Sequence, residues 1–168
     1  IHDVMCPGYG GSGIYIDNGS ANFTIHHNLC FSNQLAGIHL NTPIAGARVY
    51  NNTSVGGRLA VVMGGGAKLV IPPGLIVANN IFVPTAALKD GTQKQNNFEG
   101  AAPGFMNEEK RDFRLRQDSP CIDAGIPVEG ITEGHRGTAP DQGCFESGAP
   151  AWTAGSTLPK ELWDETGW

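Results

Sequence analysis

The sequence is short of charge, and of positive charge above all. Only 16% of its 168 residues are charged, and 11 Lys and Arg stand against 16 Asp and Glu, giving a formal net charge of -5. The few cations are dispersed and form no basic stripe of the kind a phosphate backbone requires, which argues against a nucleic-acid partner. No apolar run approaches the roughly 18 residues that cross a bilayer, so no membrane span is expected. The opening residues lack a basic stretch followed by an apolar one, and these residues hold no signal peptide. Helical spacing of apolar residues is missing throughout. The four cysteines do not follow the paired Cys-x-x-Cys spacing of a thiolate zinc site. The run Gly64-Gly65-Gly66 lacks the Gly-Lys-Ser/Thr that completes a phosphate loop and reads as a turn.

Glycine and proline are what the chain has in quantity, with 24 Gly and 11 Pro. Gly is about twice its usual share of roughly 7%, which speaks against a helical protein. The apolar fraction of 40% is that of an ordinary globular chain, and the length suits one domain.

The chain also repeats, with a period of 24. Gly13-Ile14-Tyr15-Ile16-Asp17 returns as Gly37-Ile38-His39-Leu40-Asn41. Ile25-His26-His27-Asn28-Leu29 returns as Val49-Tyr50-Asn51-Asn52-Thr53 and, after a 28-residue step, as Val77-Ala78-Asn79-Asn80-Ile81, aligning Asn28, Asn52 and Asn80. The same offset puts His2 with His26 and Tyr50, and Cys6 with Cys30. Each repeat holds short β-branched runs with period-2 alternation, divided by Gly, Asn, Ser and Pro, which predicts short strands joined by turns. A helix-free unit of this length cannot bury its own apolar residues, so the units must stack, each strand beside its equivalent at about 4.8 Å. The expected fold is all-β, a parallel β-helix, with the repeated Asn at a turn where its amide bonds to the Asn above and below. The Leu-rich consensus of a leucine-rich repeat is missing.

These residues resemble the right-handed parallel β-helix family of secreted carbohydrate-active proteins, which includes polysaccharide lyases and glycoside hydrolases. Asn28, Asn52 and Asn80 are similar to that family's asparagine ladder. The runs Ala102-Pro103-Gly104-Phe105, Asp112 to Leu115, Ser119 to Gly125 and Pro140 to Glu146 are similar to the closing region at the end of many bacterial members. The resemblance covers about residues 1 to 146. It implies coils over 1–83, an irregular coil and closing region of the same domain over 84–146, and a Trp-containing tail over 147–168. It also implies a secreted or cell-surface, bacterial protein. Residue 1 enters in mid-repeat without a cap, so the chain reads as the C-terminal portion of a longer protein, the preceding coils being a further partner, as a separate chain if the protein is nicked. Cys121 and Cys144 are candidates for a disulfide in such an oxidising compartment, whereas Cys6 and Cys30 read as buried thiols. The tail's Trp152, Trp163 and Trp168 read as packing against the coils, with a short helix starting near Lys160.

If Ile14, Ile16, Ile38 and Leu40 fill the core, Tyr15, Asp17, His39 and Asn41 point outward together on the first sheet. The resemblance places a polysaccharide groove along that sheet, so Asp17 and His39 are the candidate acid–base groups and Tyr15 and Asn41 candidate sugar contacts. Arg58, at the turn into the next first-sheet strand, is the candidate partner of an anionic substrate. A second outward row, His26 and Tyr50 with Arg48 nearby, offers further contacts. Glycosidases need paired carboxylates, and only Asp3 and Asp17 precede Asp90; lyases need a base with a cation or metal beside it. No dense cluster of Asp and Glu marks a calcium site, which either class could use; no other cofactor is called for. The expected function is binding and cleavage of an extracellular polysaccharide, by a lyase or a glycosidase. The alternative is a non-catalytic surface or adhesion module that binds glycan or protein.

Overall fold

A computed structural model describes residues 1–42, 45–64, 71 and 73–150. The three tryptophans, the Lys160 helix, Lys68 and most of the Gly64-Gly65-Gly66 turn lie outside the described residues.

The described chain is all-β, with no helix among the described residues. Twelve short strands run β1 (Ser12–Ile16), β2 (Thr24–His26), β3 (Leu29–Phe31), β4 (Ala36–Leu40), β5 (Arg48–Tyr50), β6 (Thr53–Val55), β7 (Leu59–Met63), β8 (Ile76–Ala78), β9 (Ile81–Val83), β10 (Ala86–Ala87), β11 (Gln93–Gln95) and β12 (Phe98–Glu99). Every third strand joins the same parallel sheet: β1-β4-β7-β10 forms the first, β2-β5-β8-β11 the second and β3-β6-β9-β12 the third. An antiparallel pair, β13 (Phe105–Asn107) and β14 (Asp112–Leu115), follows. The parallel stacks are compatible with a β-helix. Stretch 84–100, expected to be irregular, supplies a fourth round whose first and third strands are only two residues long.

The repeat sets the register. Ile14 pairs with Ile38 and Tyr15 with His39, while Ile25, Val49 and Val77 line up on the second sheet. Ile38, Val49, Val61 and Val77 have no exposed surface and form the core with Leu40, Leu75 and Phe82.

Between the second and third sheets the chain turns through a left-handed residue in every round: His27, Asn51, Asn79 and Asn96, with φ of 51°, 48°, 58° and 45°. Asn tolerates that conformation better than most residues with a Cβ. The next residue is the ladder asparagine. Asn28 Nδ2 donates to Asn52 Oδ1 (3.0 Å), Asn52 Nδ2 to Asn80 Oδ1 (2.9 Å) and Asn80 Nδ2 to Asn97 Oδ1 (2.8 Å). Each amide keeps a second proton for a backbone carbonyl, as Asn80 does for Val49 and Ala78. The ladder satisfies buried peptide groups at a corner where no strand can. Its fourth member, Asn97, follows a step of 17 residues after steps of 24 and 28.

The closing region covers the outer face of the third sheet. Phe105, Phe113 and Cys121 bury against Phe31 and Ile81, with Phe113 set edge-on to Phe105 at 5.3 Å. Residues 123–143 then lie along the left-handed asparagines. Asn51 Nδ2 donates to the Asp141 carbonyl (3.0 Å) and Asn96 Nδ2 to that of Ala124 (3.0 Å). Asn79 Nδ2 donates to the Ile126 carbonyl (2.7 Å) and its Oδ1 accepts the Ile126 N–H (2.9 Å). Gly143 passes so close that a Cβ there would lie 2.6 Å from Ile81 Cδ1 and 2.7 Å from Thr53 Oγ1, at a φ of 90°; only glycine fits.

Three expectations are corrected. His2 does not align with His26: it pairs with Phe31 of β3 and stacks on its ring at 4.7 Å. The turn closed by the Gly10 N–H on the Cys6 carbonyl adds residues that break the 24-residue offset, and it leaves Cys6 exposed rather than buried beside Cys30. Cys121 and Cys144 are both buried but stand as free thiols. Burial pushes the Cys121 thiol up to about 11 and the Cys144 thiol up to about 12, away from the reactive thiolate.

Candidate functional site

Tyr15 and His39 occupy neighbouring rungs on the outer face of the first sheet. They stand edge-on, with ring centroids 4.6 Å apart, and Tyr15 is 50% exposed. One residue beyond the ends of their strands, Asp17 and Asn41 form the parallel row. Asn41 Nδ2 donates to both the Tyr15 hydroxyl (2.9 Å) and Asp17 Oδ1 (3.0 Å), tying the two rows together. Asp17 Oδ1 also accepts the Asn18 N–H (2.7 Å). Thr42 Oγ1 donates to Asn18 Oδ1 (3.1 Å), extending the polar surface by one more pair. Asn18 and Thr42 went unnoticed in the sequence because they fall in turns, outside the strand alternation that pointed to their neighbours.

The electrostatics follow from these contacts. The Asn18 N–H first, then the Asn41 amide and the Tyr15 hydroxyl, hold the Asp17 carboxyl below its ordinary range, so it stays an ionised acceptor. Partial burial lowers the His39 imidazole, against a weaker upward pull from Asp17, so His39 is neutral near pH 7. The face thus offers an aromatic ring, a neutral imidazole, a carboxylate and two amides to whatever lies on it.

The other candidates lie elsewhere. Arg58 immediately precedes β7, whose first residue pairs with Ala36. It therefore sits at the start of the first sheet, whereas Asp17 and Asn41 follow its end. Six residues of extended chain separate those levels, roughly 20 Å. Continuing the β10 register by two residues puts Lys89 in the row of Asp17 and Asn41, but three strands from Asp17, roughly 14 Å. In the second row His26 and Arg48 are exposed, but Tyr50 is only 7% exposed and turns little surface to solvent. Among the described residues no group of three or more His, Cys, Asp or Glu is disposed to hold a metal ion, so the calcium expectation finds no donor set there.

A cleft of about 340 Å³ opens on another side, where the closing region meets His27, and is lined by Arg114, Leu115, Phe145 and Glu146 among others. Its charged groups are already engaged. Glu146 accepts the Arg136 and Asp141 N–H groups (2.8 and 3.1 Å), and the Arg114 guanidinium is forked on Asp112. Nothing in the repeat points to this cleft, which brings His27 together with residues far along the chain, Met106 to Pro150.

No family model, no curated protein and no solved structure matches the chain. The functional reading rests on the site itself.

Proposed function

We propose that the chain forms a right-handed parallel β-helix that binds an extracellular polysaccharide along the outer face of its first sheet. The cyclic visit to three parallel sheets supports the coil, and parallel strand connections are right-handed in nearly all known cases. The residues similar to secreted β-helix proteins support an exported setting. The observation that carries the binding role is the joined row of Tyr15, Asn41 and Asp17. A sugar ring packs its C–H face on an exposed aromatic and pairs its hydroxyls with planar amide and carboxylate groups. The contacts span the two neighbouring rungs of Tyr15 and His39, so a chain laid across them is held at more than one point, which raises avidity.

Binding is better supported than cleavage. Glycosidases set two carboxylates about 5 to 9.5 Å apart, and the hydrogen-bonded cluster around Asp17 includes no other carboxylate. Among the described residues, neutral His39 is the one group on this face suited to take a proton near pH 7.

Co-sedimentation and affinity electrophoresis against neutral and uronic polysaccharides test the proposal, with release of reducing and unsaturated ends followed on the same samples. We expect retention by at least one polymer, lost in Tyr15→Ala and weakened in Asn41→Ala, without release of ends. Retention unchanged in both variants, or absent with every polymer, would overturn the site. Release of ends that His39→Ala abolishes would make the protein an enzyme with His39 as its base.

A further inference from the structure

Resting on that reading, we infer that the glycan taken by the first-sheet face is an uncharged one, and that the face discriminates against polymers of uronic acids. Among the described residues, the charge in hydrogen-bonding contact at the site is a carboxylate with no cation on it. Asp17 Oδ1 is occupied by the Asn18 and Asn41 donors, leaving Oδ2 to accept hydroxyl protons from a bound sugar. A carboxylate can only accept when ionised. A sugar hydroxyl supplies the complementary donor, whereas a uronate carboxylate brings a second anion to the same spot and is repelled.

Recognition of uronates needs Arg or Lys at the sugar's own level. Among the described residues, none of the groups in hydrogen-bonding contact with Tyr15, Asp17, Asn18 or Asn41 is a cation. Arg58 stands at the far end of the sheet, roughly 20 Å away along the strands, and Lys89 lies three rungs off, roughly 14 Å. The formal net charge of -5 adds a long-range repulsion against polyanions. The pieces that remain, an exposed phenol ring, the Asn41 amide and the Asn18–Thr42 pair, recognise shape and hydroxyls rather than charge.

Affinity electrophoresis of the full chain tests this with soluble β-glucan, xylan and mannan on one side and polygalacturonate and alginate on the other, at low and at high salt. We expect retention by an uncharged polymer that salt leaves unchanged, since screening acts only on charged partners. Tyr15→Ala should abolish it, and Tyr15→Phe, which keeps the ring, should only weaken it. Asp17→Asn should reduce retention by the uncharged polymer and raise that by polygalacturonate. Salt-sensitive retention by the uronate polymers that Tyr15→Ala abolishes would overturn the inference while leaving the glycan-binding face intact. Retention by none of the polymers would overturn both. Unaltered thermal unfolding of each variant guards against loss of the fold, because all these side chains are exposed.

Discussion

The outer faces of the first and third sheets come from one repeat and end in opposite states. On the third, Phe31 and Ile81 are covered by Phe105, Phe113 and Cys121 of the closing region. On the first, the equivalent outward positions hold Tyr15, half exposed, and His39, with Asn41 and Asp17 beside them. A stacked repeat presents each sheet face several times over, and the side chains at its outward positions decide which face is given to the fold and which is left open. A row of large apolar residues such as Phe31 and Ile81 requires a cover, whereas the row of Tyr15 and His39, which goes on through the smaller Val62 and Ala87, is left open.

The sharpest way to break this comparison is to truncate each face in turn. Phe113→Ala should cost about 3 kcal/mol or more, because the ring is buried between Phe31 and Phe105 and leaves a cavity; chemical denaturation measures it. Asn79→Ala should follow at about 2 kcal/mol, since it orphans the partly buried Ile126 N–H and carbonyl where the closing region is tied down. Tyr15→Ala should change stability by no more than about 0.5 kcal/mol while removing glycan retention. Similar losses in Phe113→Ala and Tyr15→Ala would dissolve the distinction between the faces.

Thiol reactivity extends the contrast. In the native protein only Cys6 should react with a thiol reagent. After unfolding without reductant, all four cysteines should react, because none is bridged.

A smaller effect is expected with pH. Burial lowers both His39 and His27, the latter helped by His26 and opposed by Glu146. Their folded values lie below the ordinary histidine value of 6.5, so in that window the unfolded chain binds more protons. Stability is therefore highest above that value, falls as pH drops through it, and levels once pH is below the folded values. Denaturant midpoints at about pH 7.5 and about pH 5.5 should show the decline, and His39→Gln should reduce it. The lowered carboxylates, Asp17, Asp112 and Asp123, act in a separate window: their contribution is kept above the ordinary Asp value and lost only in stronger acid.

The stacking was legible in the sequence because strand registry and ladder spacing come from one repeat. Gly13 to Asp17 and Gly37 to Asn41 fell on the first sheet, and Asn28, Asn52 and Asn80 in one column, as their spacing required. What the sequence hid is contact made across unequal spacing. Asn97 escaped because its round contracts to 17 residues, and His2 was misaligned because the turn before Gly10 lengthens the first round. The left-handed column of Asn51, Asn79 and Asn96 looked like turn chemistry alone, yet it is also where residues 123–143 are fastened. The grouping of Tyr15, Asp17, His39 and Asn41 was legible as well, because the 24-residue repeat stacks them on neighbouring rungs; what the repeat did not show is that Arg58 lies at the opposite end of the sheet from Asp17.

Mapping amide shifts of the full chain during titration with an uncharged oligosaccharide is the most direct test of the claim that the first-sheet face holds the glycan. The account predicts saturable perturbations clustered at residues 15–18 and 39–42, absent in Tyr15→Ala. Perturbations centred instead on His27, Leu115 and Phe145, with residues 15–18 unmoved, would contradict it and place the ligand in the cleft beside the closing region.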